Sequence, residues 1–430
     1  MCGFIATTGS IDEILCWRLS RRGPTATRES QVGNLLVRHY LLAVNGHVPQ
    51  PVTAGHGTLF WNGEIYPRPG ESDTLWLAKY MAENSGDLDG AVARLCGEFV
   101  ICWLEDSILR IWTDPFGTKP CYVRADGAAV EVASYASAIG GEPFLLPPNS
   151  RFTIDLQSCT VVDSQVAVRH WDWHGEDKTS YDDFFGAIDR AVAKRLEGPD
   201  VPVYIPMSGG IDSGVVVAAA LESGNRDWET WTMFGCEDLE VIDGRRKWLR
   251  ENGIRSVVYE PDELDLCLGR REYFRDVEDE AYVGSEESEY HSIFGDFGSY
   301  GAYLLARRAN KPIAISGQGG DEVFANMQYS KPFQFGRSPW GNMTDGWMRN
   351  FLALVDRTGG ALGQESRFPL LDFNVVQEFI WLAAGLKNRS YKQPLVAYLK
   401  RCEFPMTTKK TLYSFLRGDR ESSMEVWGCS

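Results

Sequence analysis

Residues 201–221 read VPVYIPMSGGIDSGVVVAAAL and place a strand, a tight turn and a helix in direct succession. Residues 201–207 are mostly β-forming, which predicts a buried parallel strand. Ser208, Gly209 and Gly210 then turn the chain, and apolar residues follow at helical spacing from Asp212 onward. The N–H groups of the turn and the positive end of the helix would face one point, where the glycines leave room for a phosphate. We therefore expect residues 208–213, called here the phosphate loop, to bind a phosphate group.

The side chains of the phosphate loop narrow this prediction. Asp212 would repel a bare phosphate, so we expect a bridging Mg²⁺ there. No GKS or GKT follows the turn, so the loop is not a Walker A motif. SGG alone is more often an ordinary turn, but SGGIDS after a hydrophobic strand is far more specific, and it resembles the pyrophosphate loop of enzymes that cleave ATP between the α and β phosphates. The predicted ATP-binding residues are Ser208, Gly209, Gly210, Asp212 and Ser213.

Length, charge and cysteine content limit the classes of protein that fit. The 430 residues are too many for one compact core and indicate two or three domains. The net charge of −16 argues against long nucleic acids or anionic membranes as partners. Ten cysteines without a CxxC pair argue against zinc and iron–sulfur sites. Without a long apolar run or a basic N-terminal segment, we expect no membrane helix, no signal peptide and a cytoplasmic location.

The N-terminus offers a candidate nucleophile at Cys2. A small residue after Met1 permits removal of the methionine, which would leave Cys2 as the terminal residue. A terminal cysteine carries both a thiol and an α-amine, whose pKa of about 7.7–8.0 suits a base. The alternative is that Cys2 merely begins a strand.

Further residues in the N-terminal half suit the same chemistry. Asn62 and Gly63 interrupt a strand in LFWNGEIY and offer two N–H donors for an oxyanion, although an NG pair is more often a hairpin turn. Asp73 precedes a helical stretch over residues 75–82 and could simply cap it.

These segments together resemble the class II glutamine amidotransferase domain of asparagine synthetases, whose motifs are a terminal Cys-Gly, RGPD, NGEIYN and SDTE. The same order appears here as CG at 2–3, RGPT at 22–25, NGEIYP at 62–67 and SDTL at 72–75. The departures are Thr25, Pro67 and Leu75. The resemblance implies that Cys2 attacks the glutamine carboxamide. It further implies that Asn62 and Gly63 hold the oxyanion, that Arg22 pairs with the α-carboxylate, and that Glu64 and Asp73 bind the α-ammonium.

In the C-terminal half, helical and strand patterns alternate, which predicts a parallel α/β sheet. Helices are expected over residues 179–196 and 244–252, and strands over 230–235 and 256–259. The resemblance to asparagine synthetases implies that the strand ending at Gly235 lies against the adenine of ATP. Residues 311–324, KPIAISGQGGDEVF, form a strand followed by a glycine turn and a helix, which is where open α/β sheets bind ligands.

Three C-terminal segments resemble family motifs. The segment around Asp321 resembles SGEGADELFGGY, which implies that Asp321 lies beside Asp212 at a metal or pyrophosphate site, although acids also cap helices. Residues 365–372, ESRFPLLD, resemble the substrate-side motif ExRxPFLD. Lys409 and Lys410 resemble the late lysine that contacts the α-phosphate and acyl-adenylate. We prefer Lys410, although a surface lysine pair is the alternative. The acceptor-side candidates are Gln318, Glu322, Glu365, Arg367 and Asp372.

We therefore predict an α/β protein with two domains. Residues 2–170 should form an Ntn-type αββα sandwich with glutaminase activity, and residues 171–430 a parallel-sheet PP-loop synthetase domain. The resemblance implies ATP and Mg²⁺ as cofactors and glutamine and a carboxylic acid as small-molecule substrates. It implies adenylation of the carboxylate and attack by ammonia, which would reach it through a buried passage. A homodimer is one option for assembly.

Alternatives remain open at this stage. The acceptor could be aspartate or another carboxylate of a specialised pathway, and Gln318 stands where the family motif is usually acidic, which favours another acceptor or an unusual base. A lactam-forming synthetase is disfavoured because such relatives generally lack the nucleophilic cysteine. A non-catalytic binding protein would not need matching motifs in both halves. A tRNA-thiolating enzyme is disfavoured by the absent CxxC and the acidic charge.

Overall fold

The computed structural model describes residues 2–67, 70, 72–198, 201–234, 238–278, 296–325, 335 and 355–406. Among these residues no helix is long and apolar enough to cross a membrane. The strands are β1 Gly3–Thr7, β2 Ala26–Val32, β3 Leu35–Leu41, β4 Val52–Ala54, β5 Gly57–Ile65, β6 Gly97–Glu105, β7 Ile108–Thr113, β8 Tyr122–Ala125, β9 Val130–Ala133, β10 Phe144–Leu145, β11 Ser150–Asp155, β12 Thr160–Val166, β13 Val203–Pro206, β14 Trp228–Met233, β15 Arg255–Tyr259, β16 Ile313–Ile315 and β17 Glu365–Arg367.

Helices make up part of the remaining described chain. They are α1 Trp17–Arg22, α2 Asp73–Glu83, α3 Leu88–Arg94, α4 Asp182–Leu196, α5 Ile211–Glu222, α6 Leu239–Glu251, α7 Glu263–Tyr273, α8 Asp296–Ala309, α9 Gly320–Phe324, α10 Phe373–Trp381, α11 Ala384–Lys387 and α12 Gln393–Arg401. Helix α6 begins five residues before the predicted position, because the Asp238 side chain accepts a hydrogen bond from the N–H of Val241 and caps it there.

The N-terminal half is a sandwich of two six-stranded antiparallel sheets. Their strand orders are β10-β8-β9-β1-β3-β2 and β12-β11-β7-β6-β5-β4. Because side chains alternate along a strand, Phe60 of β5 packs between the sheets, while Leu59 and Trp61 pack beneath α2. Leu19 of α1 covers the outer face of the other sheet. The predicted αββα sandwich is confirmed by this layering.

The C-terminal half is built on a five-stranded parallel sheet with the order β15-β14-β13-β16-β17. The chain passes from β13 to β14 and β15 on one side, and then crosses to β16 and β17 on the other. This reversal creates a crevice at the carboxyl ends of β13 and β16, where open sheets bind ligands. Helix α5, which follows the phosphate loop, is buried almost all round, which explains its continuous apolar run. The predicted parallel sheet is confirmed.

Buried ion pairs join the two halves. Arg195 of α4 lies 2.9 Å from Glu98 and 3.0 Å from Asp372, and all three side chains are buried. Asp356 accepts hydrogen bonds from Arg22 at 2.8 Å and from Lys119 at 3.1 Å. Removing one partner of such a pair leaves an uncompensated charge in a desolvated place. The contact between the halves is therefore specified by charge as well as by apolar packing.

We expect Asp372→Asn to lower the free energy of unfolding by about 3–5 kcal/mol at neutral pH, because Arg195 would lose a buried partner. Burial alone would raise the pKa of Asp372, but Arg195 and Lys194 outweigh it and lower that pKa to about 2. A depressed carboxyl pKa contributes stability above the unfolded value of about 3.9, and this stability is lost as the pH falls towards 2. Urea unfolding between pH 7 and pH 2 would measure both effects.

The matched control is Asp183→Asn, because Asp183 pairs with Lys178 on the surface. This substitution should change stability little at any pH, since exposed ion pairs contribute little. Equal destabilisation by the two substitutions would contradict the role given to the buried pair.

Candidate active sites

The first candidate site surrounds Cys2, at the start of β1. The backbone N–H of Cys2 donates to Asn62 Oδ1 at 2.8 Å. The Nδ2 group of Asn62 is left buried without a hydrogen-bond partner. A buried orphan donor is costly, so its retention beside a nucleophile suits an oxyanion that forms only during reaction. Burial raises the pKa of the Cys2 thiol, so a neighbouring base is needed to activate it.

Gly63 lines the same pocket and could not be replaced by a larger residue. Its φ is +152°, and a Cβ there would lie 2.1 Å from the carbonyl oxygen of Glu98. Asn62 and Gly63 lie within β5, paired with β6, so they do not form a hairpin turn. The structure thus brings Cys2, Asn62 and Gly63 together, as the sequence predicted.

Three carboxylates also line the Cys2 pocket: Glu64, Asp73 and Glu365. Burial, Glu365 and Asp73 raise the pKa of Glu64, and burial raises that of Asp73 to about 6. The side-chain amide of Asn45 donates to Glu64 Oε2 at 2.7 Å. Glu365 was predicted on the acceptor side, but it lies at the first position of β17 and faces this pocket. Sequence patterns could not reveal this, since Glu365 is 363 positions after Cys2.

Arg22 lies against Cys2 and pairs with a buried acid, and its contact with a substrate α-carboxylate stays a prediction. Its guanidinium donates to Asp356 at 2.8 Å and to the carbonyl oxygen of Cys2 at 3.1 Å, and it stacks on the ring of Tyr135. Arg22 is fully buried, so its charge requires a buried acid, and Asp356 supplies one. Arg22 is absent from the side chains that line the pocket.

The second candidate site is the crevice at the phosphate loop. Ser213 Oγ accepts a hydrogen bond from the N–H of Ser208 at 3.1 Å and lies 2.9 Å from its hydroxyl. Gly210 caps α5 with an extended backbone and lies in the loop beside Gly209. The buried guanidinium of Arg245 donates to the carbonyl oxygen of Ser208 and to that of Pro405, and so holds the loop from behind.

The turns after β13 and β16 are in direct contact. A Cβ on Gly320 would lie 2.1 Å from Cγ of Asp212, so glycine is required where the two turns meet. Asp212 and Asp321 both contact the ammonium of Lys392, at 2.6 Å and 2.7 Å. The hydroxyl of Tyr391 also donates to Asp321, at 2.6 Å. The predicted neighbourhood of the two aspartates is therefore present in the structure.

Lys392 is a site residue that the sequence analysis missed. It is only 4% exposed and has a positive φ of 49° immediately before α12. Burial would lower its pKa, but Asp212 and Asp321 outweigh burial and raise it. A single lysine before a helix has no local pattern that marks it. Lys392 reaches the two aspartates because α12 packs against α5 in the folded chain.

Gln318 lies on the turn after β16 and contacts Glu322 of the following helix, α9. The Gln318 side-chain amide donates to Glu322 Oε1 at 2.5 Å, and the N–H of Gly319 donates to Glu322 Oε2 at 3.0 Å. Burial and the neighbouring carboxylate of Asp321 raise the pKa of Glu322 to about 7. A carboxyl group that titrates near neutrality can accept a proton under physiological conditions.

The other predicted site residues lie elsewhere. Arg367 and Asp372 are buried between the two halves, where Arg367 bonds Glu365 and Asp372 bonds Arg195. Arg367 also contacts Glu64 of the N-terminal half at 3.4 Å, whereas Asp372 and Arg195 both belong to the C-terminal half. Gly235, Lys409 and Lys410 fall outside the described residues.

The described residues contain no group of three or more histidine, cysteine or acidic side chains placed to hold a metal ion. Asp212 and Asp321 nevertheless lie close enough to share one cation, Lys392. Mg²⁺ is typically held by one or two carboxylates together with substrate phosphates and water. The pair therefore fits a Mg²⁺ that arrives with a nucleotide.

Comparison with known proteins identifies the class. Residues 184–350 match the family model described as asparagine synthase. The glutamine-hydrolysing asparagine synthetase 2 of Arabidopsis thaliana is 26% identical, over 90% of this chain and 71% of that protein. The glutamine-hydrolysing asparagine synthetase of Gallus gallus is 24% identical, over 94% and 81%. The chain is therefore asparagine synthetase-like. The predicted enzyme class, an ATP-dependent carbon–nitrogen ligase with glutamine as nitrogen donor, is confirmed.

Solved structures match more weakly. Glutamine phosphoribosylpyrophosphate amidotransferase from B. subtilis covers 60% of this chain, at 12% identity and a TM-score of 0.33, with 81% of that chain matched. The U34-tRNA thiolase from Methanococcus maripaludis covers 58% of this chain, at 15% identity and a TM-score of 0.32, with 75% of that chain matched. Scores this low carry no functional argument.

Proposed function

We propose that the chain hydrolyses glutamine at Cys2 and uses the ammonia to amidate a carboxylate that is adenylated at the phosphate loop. The observation that carries the proposal is the pair of assembled sites. At the first site, the unpaired side-chain amide of Asn62 lies beside Cys2. At the second site, Asp212 and Asp321 contact the same lysine at the carboxyl end of the parallel sheet. We place the boundary between the two activities at residue 170, in the segment between β12 and α4.

At the first site, the Cys2 thiol would add to the carboxamide carbon of glutamine. Its proton would pass to the α-amine of Cys2 after removal of Met1, and then to the departing ammonia. Asn62 Nδ2 and the N–H of Gly63 would hold the oxyanion. Glu64 and Asp73 would hold the substrate ammonium. Water would then hydrolyse the thioester and release glutamate.

At the second site, an oxygen of the acceptor carboxylate would attack the α-phosphorus of ATP and displace pyrophosphate. Ammonia would then attack the acyl carbon and displace AMP. The phosphate loop would supply N–H donors, and Lys392 would turn from the aspartates to the phosphates as they arrive. A bound Mg²⁺, held by Asp212 and Asp321, would offset the charge on the phosphate oxygens.

The acceptor side favours a carboxylate other than aspartate. Gln318 is neutral where the family motif is usually acidic, so it cannot take the proton that leaves the attacking nitrogen. Glu322 of α9 accepts a hydrogen bond from Gln318, so a carboxyl group is present beside this amide. We propose that it receives this proton, and that the neutral amide tolerates an acceptor with a second anionic or bulky group.

A screen of carboxylic acids with ATP, Mg²⁺ and glutamine tests the proposal through release of pyrophosphate and AMP. We expect at least one acid to release both, and aspartate to be a poor acceptor. Efficient asparagine formation from aspartate, unchanged in Gln318→Ala, would contradict the acceptor proposal. Formation of a lactam without consumption of glutamine would favour the alternative synthetase.

A further inference from the structure

We propose that Asp356 of the C-terminal half is a positioning residue for glutamine hydrolysis. Through Arg22 it would fix the backbone of Cys2, so that the first site reaches its working geometry only when the two halves are in contact. This inference rests on the proposed glutaminase activity and adds to it a dependence of that site on the C-terminal half.

The backbone of Cys2 is held by two side chains. Cys2 lies immediately before β1, whose pairing with β3 begins at Gly3. Its N–H donates to Asn62 Oδ1 at 2.8 Å, and its carbonyl oxygen accepts from Arg22 Nε at 3.1 Å. Rotation of this backbone would move the thiol relative to the side-chain amide of Asn62. A misplacement of about 1 Å at a reacting atom can cost about 10²-fold in rate.

The direction of the Arg22 guanidinium is set from the C-terminal half. The side chain is fully buried, so its charge needs a buried partner. Asp356 Oδ2 supplies this partner at 2.8 Å, from a position 334 residues further along the chain. Tyr135 of the N-terminal half contributes its ring face, which carries no full negative charge. With Nε on Cys2 and Nη2 on Asp356, the planar guanidinium is held in one orientation.

Asp356 is itself fixed, so it can orient the guanidinium. Its second oxygen, Oδ1, accepts a hydrogen bond from Lys119 Nζ at 3.1 Å, and the same ammonium donates to the carbonyl oxygen of Ser366 at 3.0 Å. Ser366 is the middle residue of β17, and the next carbonyl oxygen of that strand accepts from the N–H of Ser316 at 2.9 Å. Hydrogen bonds and one strand thus connect the backbone of Cys2 to the turn after β16 at the second site.

Two possible roles of Arg22 predict different kinetic changes when Asp356 is altered. If Arg22 binds the α-carboxylate of glutamine, the change should act mainly on KM, because it alters how the substrate is held. If Arg22 positions Cys2, the change should act on kcat, because Glu64 and Asp73 would still hold the substrate ammonium. The ratio of the two effects therefore separates positioning from direct binding.

Ammonia release from glutamine by full-length Asp356→Asn protein tests the proposal. We expect kcat to fall on the order of 10²-fold, and at least tenfold, with KM within threefold of the parental value. Arg22→Lys should show the same pattern while it keeps a buried charge opposite Asp356, because an ammonium lacks the planar fork of donors. Urea unfolding would establish that each variant is assayed as folded protein. A fall in kcat of less than tenfold in either variant, or a change confined to KM, would overturn the proposal.

Asp276→Asn is the matched control. Asp276 is also a buried acid of the C-terminal half, and it pairs with α1 through Arg21 at 3.1 Å. Arg21, however, donates to the carbonyl oxygen of Ala361 and not to that of Cys2. The control should therefore keep kcat within threefold of the parental value. An equal fall in kcat in Asp276→Asn and Asp356→Asn would show a general effect of the contact between the halves, and would overturn the part given to Asp356.

The double variant Arg22→Lys/Asp356→Asn tests whether both residues act through one link. Its kcat should lie within threefold of that of the poorer single variant, because changes along one chain of contacts are not additive in free energy. Losses that multiply would mean separate effects and would overturn the proposal. If the parental protein releases no ammonia from glutamine, the proposed glutaminase activity fails, and this inference fails with it. Parental hydrolysis that every variant retains would contradict the positioning role alone.

Discussion

Cys2→Ala protein should form no product from glutamine, while free ammonium at high pH should sustain synthesis at close to the parental rate. Cys2 has the only thiol among the described residues that line this pocket, and it lies beside the orphan donor of Asn62, so we expect a loss on the order of 10³-fold or more. Synthesis from ammonium bypasses this step, because ammonia at high pH needs no release from an amide. Product formation with each nitrogen donor would be measured side by side.

Cys267→Ala is the matched control, since Cys267 is an exposed cysteine on α7. It should leave both nitrogen sources equally productive. If Cys2→Ala lost synthesis from ammonium to the same extent as synthesis from glutamine, the division of labour between the two sites would be wrong.

Lys392→Met should reduce formation of AMP and pyrophosphate by about 10²–10³-fold while hydrolysis of glutamine persists. Lys392 is the buried cation on which Asp212 and Asp321 converge, so its removal takes one positive charge from the site where the phosphates would bind. Asp212→Asn and Asp321→Asn should each reduce AMP formation by orders of magnitude as well. The Asp variants should also weaken the dependence on Mg²⁺, because they remove its predicted ligands.

Lys400→Met provides the control for this series, since Lys400 is an exposed lysine near the end of α12, the helix that Lys392 precedes. It should form AMP at the parental rate. Parental AMP formation by Lys392→Met would refute the position given to Lys392 at the phosphates.

Local sequence determined much of the fold and the centre of each candidate site. The strand predicted over residues 201–207 is β13, and the helix predicted over 179–196 begins three residues later as α4. Such elements could be predicted because hydrophobic periodicity and glycine turns act between residues that are close in the chain. The resemblance of short motifs to those of asparagine synthetases, and not periodicity, implied that Cys2 lies with Asn62 and Asp212 with Asp321.

Only the tertiary structure decided which charges face each other. Glu365 lies in the Cys2 pocket, Arg22 turns to Asp356, and Lys392 lies between two aspartates. Each partner is more than 60 positions distant along the chain, so no local pattern records the choice. The physical reason is desolvation: a charge that becomes buried must find an opposite charge, and which one is within reach depends on how the two halves pack together.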